Sequence, residues 1–431
     1  MLFLYSIVLT LGFLILLPRF VFDALTKGKY AAGFWQRLGS LPAFDANGRK
    51  VVWLHCVSVG EANAALPLAK KIKKEFPQVS LVVSTTTNTG QKVARHAYAG
   101  IADLVFYFPF DWRFTVRRAL RHINPSVVLL TETELWFNFI RESYKRDARV
   151  CIVNGRLSER SFAGYSWIKG FMKRMLSYLD LALMQTNADA TRLMSLGARG
   201  SKVKVTGNLK FDHGSEGETS SLTAEFRERF GIADGLPLIL AASTHEPEER
   251  YVLESLDGEL GHSCRLMLVP RHPERFAAVE QTLRDGGYTF VKRTSHASEA
   301  DRTADVILLD TVGELRAAYP LAEIVFVGGS LIPHGGQSVF EPAAVGKAMI
   351  TGPHTANFDA AVEEFLAQNA LVQLDMSGEG AIPTLTAELR RLIADPAERH
   401  GLGRNALVVM QQKRGAVDKT LEYLRSLLES R

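Results

Sequence analysis

Residues 50–84 read KVVWLHCVSVGEANAALPLAKKIKKEFPQVSLVVS, and this stretch decides the fold class. Lys50 to Cys56 is a short apolar run with β-branched and aromatic residues, which predicts a buried strand. From roughly Glu61 to Phe76 the pattern becomes amphipathic and predicts a helix, and Val79 to Ser84 predicts the next strand. Strand, helix and strand in so short a span point to parallel strands joined by a crossover helix.

The alternation continues outward. Further strands are predicted at 126–130, 149–153, 181–184 and 202–206, and a polar tract from Asp212 to Ser221 breaks the pattern. It restarts with strands at 237–242, 264–269, 306–309, 323–327 and 347–351, and ends in a helical stretch from about Pro396 to Ser430. The expected architecture is α/β: two Rossmann-like domains, 23–212 and 223–431, with a linker at 213–222 and a cleft between them. The terminal helix is assigned to the second domain.

Bulk properties narrow the classes. The 431 residues carry a formal charge of +5, which suits an anionic surface or an acidic substrate. No helix or loop forms a dense Lys/Arg stripe with interleaved aromatics, so nucleic acid is not expected as a partner. Cys56, Cys151 and Cys264 are odd in number, far apart and set in apolar runs, which reads as buried thiols in a reducing compartment. Met1 to Leu17 carries no charge, and Arg19, Lys27, Lys29 and Arg37 follow it. That pattern predicts an N-terminal apolar anchor helix over 1–22, with the catalytic domains on the cytoplasmic side of the inner membrane.

In doubly wound sheets, ligands sit beyond the carboxyl ends of the strands, and the informative residues fall there repeatedly. Ser58-Val59-Gly60-Glu61 follows the first strand, and Glu61 is either a dipole-favoured charge at a helix start or a general base. Thr131-Glu132-Thr133-Glu134 places two carboxylates at a strand end, expected to point to opposite sides, one of them capping the next helix. Lys210, beside the domain junction in Gly207-Asn208-Leu209-Lys210, suits a phosphate or carboxylate, although a solvated lysine is the commoner case. In the second half, Pro270-Arg271-His272-Pro273 holds Arg271 in a stiff turn suited to a phosphate. The turns at Asp310–Glu314, Gly328–Ser330 and His334–Ser338 suggest amides free to bind an anion, and Glu341 suits ribose hydroxyls. A dinucleotide fingerprint, a P-loop, an Asp-x-Asp pair and zinc-type histidine spacing are all absent, so neither a metal nor a cofactor is expected.

Taken in order, SVGE (58–61), TETELW (131–136), NGRLSERS (154–161), GNLKFD (207–212), STHEPEE (243–249), PRHPERF (270–276), DTVGEL (310–315), FVGGSL (326–331) and GPHTANF (352–358) resemble the Kdo transferases of lipopolysaccharide assembly. The resemblance implies a GT-B fold, anchorage to the inner membrane and metal-independent, inverting transfer of Kdo from CMP-Kdo to a lipid A precursor, lipid IVA. It implies that Glu61 is the general base, that Glu132 and Lys210 stabilise the transition state, and that Pro270, Arg271, Val312, Gly313, Glu314, Ser338, Val339, Phe340 and Glu341 bind CMP. Three departures from the family pattern stand out: Gln337-Ser338, where it usually reads HN, Val312, where Met is common, and Pro247, where Gly is usual. They bear on donor affinity and donor identity. The rival readings are a GT-B transferase with another nucleotide sugar, a catalytically silent nucleotide- or lipid-binding protein, and a sugar-nucleotide epimerase.

Overall fold

The Lys50–Cys56 run becomes β1 (Val51–Cys56), every residue of which is buried. In the computed structural model it lies inside a seven-stranded parallel sheet with β2 (Ser80–Thr85), β3 (Leu104–Tyr107), β4 (Val127–Thr131), β5 (Arg149–Gly155), β6 (Leu181–Met184) and β7 (Val203–Val205), in the order β3-β2-β1-β4-β5-β6-β7. The structure describes residues 5–7, 9–15, 18, 33–212, 221–232, 236–256, 258–378 and 380–429. Successive side chains of a strand face opposite ways, and the two cores sort accordingly. Trp53, Val128, Leu130, Val150 and Ile152 pack on one face, whereas Val52, Leu54, Val127, Leu129, Cys151 and Val153 pack on the other. A fully buried side chain of this size contributes about 1.5–3 kcal/mol.

A second parallel sheet is built from β8 (Leu238–Thr244), β9 (Arg265–Pro270), β10 (Phe290–Lys292), β11 (Val306–Leu308), β12 (Ile324–Val327), β13 (Ala348–Thr351) and β14 (Val372–Gln373). Its order is β10-β11-β9-β8-β12-β13-β14. In each sheet the chain first builds outward from one strand and then returns to that strand's other side. Those switch points lie between β1 and β4 and between β8 and β12.

The chain divides into two units, Met1–Asp212 with Lys413–Arg431, and His213–Gln412. The terminal helix therefore belongs with the first sheet, which corrects its assignment to the second domain. Helix Ala416–Glu429 buries Ala416, Val417, Leu421, Leu424 and Leu428 in the core that also holds Leu68 and Ile72 of helix Val59–Glu75. Asp212 fixes its start by accepting from the N–H groups of Gly415 (2.7 Å) and Val417 (2.6 Å).

A second correction concerns the N-terminus. Of the expected anchor, residues 1–4, 8, 16, 17 and 19–22 lie outside the described residues. Among the described residues no helix is long and apolar enough to cross a membrane. Some of its described side chains find partners in the protein, whereas Leu11, Leu14 and Ile15 are exposed. Tyr5 donates to Asp111 Oδ2 at 2.7 Å and packs against Phe137 and Phe171, while Phe13 meets Phe110 and Trp112. The inner-membrane localisation deduced from an anchor loses its basis with it.

Candidate active site

Glu61 is placed by its own helix start. Ser58 caps helix Val59–Glu75 by accepting from the Glu61 N–H, and the Glu61 carboxylate reaches back over the turn. There it accepts from the Val57 N–H (2.9 Å), the Ser58 hydroxyl (3.0 Å) and the hydroxyl of Thr131 (2.7 Å), the last residue of β4. The side chain thus spans the β1/β4 switch point. It is buried, with 6% of its surface exposed. Burial raises its pKa above the usual carboxylate range and the charge of Glu132 adds to the rise, while the three hydrogen bonds oppose it.

Glu132 follows β4 directly, but with φ +52°, so the strand's alternation stops at Thr131. Its N–H donates to the Val153 carbonyl (2.9 Å), and Lys210 Nζ lies 3.2 Å from its Oε1. Lys210 is carried on the 3-10 turn Leu209–Asp212. The structure therefore brings Glu61, Glu132 and Lys210 to the carboxyl end of one sheet. Glu134 does not cap the following helix: helix Phe137–Tyr144 has no side-chain cap. Its carboxyl is instead pushed up to about 7, first by burial and then by the charges of Glu61 and Glu132.

In the second unit the expected donor residues are placed differently. Pro270 ends β9, and Arg271 is exposed, its N–H donating to the Thr244 carbonyl at 2.9 Å. Val312 is 75% exposed, and Gly313 takes φ +94°, a conformation suited to glycine. Glu314 is already engaged, by Arg293 Nε (3.0 Å) and the Thr311 hydroxyl (2.6 Å). The Ser338 hydroxyl donates to the Glu341 carboxylate at the start of the short helix Phe340–Ala344, and Val339 and Phe340 are buried beneath it.

One expectation fails here. The amides after β12 are not free for an anion, because Glu248 occupies them. Its carboxylate, wholly buried, accepts from Gly329 (2.6 Å), Ser330 (2.9 Å), Leu331 (2.9 Å) and His245 (3.0 Å).

Two features of this unit escaped sequence reasoning. Buried Tyr319 has its hydroxyl pKa raised by burial and the Glu341 charge, with Arg316 and Arg271 acting the other way. As an aromatic in an apolar run, it reads as core. The second is a histidine cluster: the His245 ring centroid lies 4.7 Å from that of His334 and 5.3 Å from that of His272. His245 is held near pKa 4 by burial, with both imidazoles and Arg271 adding. All three histidines stand in motifs at strand ends, but their separation in sequence hides the cluster. Among the described residues no group of three or more His, Cys, Asp or Glu could hold a metal ion.

Comparison with known proteins gives these sites a context. Residues 32–213 match the family described as 3-Deoxy-D-manno-octulosonic-acid transferase (kdotransferase). A 3-deoxy-D-manno-octulosonic acid transferase of Haemophilus influenzae is 32% identical over 400 residues, 91% of this chain and 92% of the relative. That of Chlamydophila psittaci is 29% identical over 425 residues, 98% of this chain and 96% of the relative. Among solved structures, UDP-GlcNAc 2-epimerase from Neisseria meningitidis bound to UDP-GlcNAc is 15% identical with a TM-score of 0.59, covering 88% of this chain and 100% of that one. At that identity the likeness speaks for the GT-B-like fold alone. The sequence relatives, matching along nearly all of their length, decide the family: this chain belongs to the 3-deoxy-D-manno-octulosonic acid (Kdo) transferases and is a glycosyltransferase of that type.

Proposed function

We propose that the chain transfers Kdo from CMP-Kdo to the lipid A precursor lipid IVA, with inversion at the anomeric carbon and without a metal ion. The observation that carries this reading is the Glu61 carboxylate, buried, with a raised proton affinity, beside the Lys210–Glu132 ion pair. A sugar hydroxyl is a weak nucleophile until its proton is removed. Glu61 takes that proton as the acceptor oxygen bonds to the anomeric carbon. The bond from that carbon to the phosphate oxygen breaks, and CMP leaves with the electron pair. Lys210, oriented by Glu132, offsets negative charge gathered at the reacting centre.

The donor nucleotide is assigned to Pro270 and Arg271, the turn Val312 to Glu314, and Ser338 to Glu341. Arg271 supports this assignment, since no ion pair among the described residues engages its guanidinium. A second reading, a different nucleotide sugar, is favoured by the Ser338 hydroxyl, which the Glu341 carboxylate already holds. Competition between CMP and UDP for binding separates the two readings.

The direct test incubates the purified protein with CMP-Kdo and a tetraacyl lipid A precursor in the presence of a chelator, and follows the product mass. The expected result is a gain of one or more Kdo units, abolished in Glu61→Ala. No gain from a folded protein that binds CMP would overturn the acceptor assignment.

A further inference from the structure

The Lys210–Glu132 ion pair joins residues 78 positions apart, and the end of one strand holds both halves. At the carboxyl end of β5, the Val153 carbonyl accepts the N–H of Glu132 (2.9 Å), and the next side chain, Asn154 Oδ1, accepts the N–H of Leu209 (2.9 Å). Leu209 opens the 3-10 turn that carries Lys210. Asn154 is itself fixed, with 1% of its surface exposed and its carbonyl accepting from Gln185 Nε2 at 3.0 Å.

Two details show that the side chain's acceptor is what this position requires. Asn154 takes φ +54°, a conformation that favours glycine and that asparagine tolerates better than most residues. It sits where the β5–β6 register shifts between Ile152 and Gly155, so the strand departs from regular pairing there. Moreover, its Nδ2 is buried without a hydrogen-bond partner among the described residues. An unpaired buried donor is costly, and glycine would avoid both the cost and the backbone conflict. What glycine cannot supply is the oxygen that holds Leu209.

We infer that Asn154 is a positioning residue for the transfer reaction: its Oδ1–Leu209 hydrogen bond sets the turn that delivers Lys210 to Glu132. The inference rests on the reading that Lys210 serves the reaction, and the experiment separates the two.

Steady-state kinetics are measured for Asn154→Gly, Lys210→Ala and the double variant, with thermal melting beside them. Asn154→Gly relieves the backbone and removes only the side chain. It is expected to lower kcat about tenfold, the scale of one lost hydrogen bond, with the acceptor KM within about twofold. Lys210→Ala is expected to cost about a hundredfold or more. In the Lys210→Ala background, Asn154→Gly is expected to cost less than about twofold further, because coupled residues are non-additive. Asn154→Asp, which keeps the acceptor, is expected to recover most of the rate. If Asn154→Gly does not fold, Asn154→Ser replaces it in the cycle, its hydroxyl being too short to reach Leu209. Additive losses in the double variant overturn the role of Asn154 while leaving Lys210 in place. An active Lys210→Ala overturns both.

Discussion

Glu61 and Glu248 hold matching places in the two sheets. Each lies in the first turn of the helix that follows a central strand, β1 or β8, and each carboxylate reaches across the switch point to the neighbouring strand's end. Glu248 is wholly buried and holds four backbone N–H groups from two loops. Glu61 keeps 6% exposure and accepts from two hydroxyls and one N–H. Hydroxyls can turn to donate or accept, so the surroundings of Glu61 tolerate a change of protonation, whereas the four amides around Glu248 are fixed donors. On the proposed mechanism, the same position is a chemical group in one unit and a structural brace in the other.

Replacing each glutamate by glutamine breaks the comparison most directly. Glu61→Gln is expected to lower kcat/KM by about 10²- to 10⁴-fold, the usual contribution of general base catalysis. In the parent enzyme activity should rise with pH through an ionisation above the ordinary carboxylate range, and the variant should lose that limb. Stability should move the other way. The raised pKa means that the folded state binds the Glu61 proton more tightly than the unfolded chain does. Its contribution to stability is full below the ordinary value of 4.5 and is lost as pH rises through the folded value. A neutral glutamine removes that loss, so the melting temperature at neutral pH should hold or rise. A fall of several degrees would make Glu61 a brace as well.

Glu248→Gln should show the opposite pair of effects. One amide oxygen replaces two carboxylate oxygens that each accept two N–H groups, so at least two buried donors are orphaned. At about 1–3 kcal/mol each, the second unit should lose roughly 2–6 kcal/mol, visible in denaturant or thermal unfolding. Protein that remains folded should keep its turnover. A large fall in kcat without a stability change would mean that Glu248 meets the substrate.

Arg271→Ala should have a smaller and more selective effect. An exposed guanidinium without an ion pair among the described residues, beside the His245 cluster, is suited to meet a ligand anion. Hydrogen bonds to charged groups are worth about 1.5–3 kcal/mol, so the KM for CMP-Kdo should rise about ten- to hundredfold. An unchanged donor KM would remove Arg271 from the donor site.

The contrast between the two glutamates was not legible in sequence, because both stand just after an apolar run at a helix start. The central strands were legible, since β1, β4, β5, β8 and β12 are buried apolar runs. β3, β10 and β14 were missed, and all three are sheet edges, two to four residues long and only partly buried. β10 and β14 are too short to leave an apolar run, whereas β3 is an apolar run, LVFY, that the sequence reading passed over. The last helix was placed in the wrong unit because its apolar stripe says that it packs, not where. Its partners in helix Val59–Glu75 lie some 350 residues earlier, as in the Arg425–Glu75 pair with |i−j| of 350. Glu61, Glu132 and Lys210 were legible as candidates from their places at strand ends and the domain junction, but only the family resemblance assigned them roles. Their meeting depends on the left-handed turn at Glu132 and on Asn154, neither of which has a periodic signature.

The smallest effect is expected at Val312, where the chain departs from the methionine common in the family. Its side chain is 75% exposed, so it contributes little to packing. The turn around it is set by other means: Gly313 supplies the positive φ, and Glu314 is tied to Arg293 and Thr311. Val312→Met therefore leaves the backbone geometry intact and adds only flexible surface. Exposed substitutions of this kind usually change free energy by less than about 0.5 kcal/mol, so the KM for CMP-Kdo should move by no more than about twofold. A tenfold improvement would show that the side chain at 312 touches the nucleotide. The second unit would then read its ligand through side chains at this turn as well as through the guanidinium of Arg271.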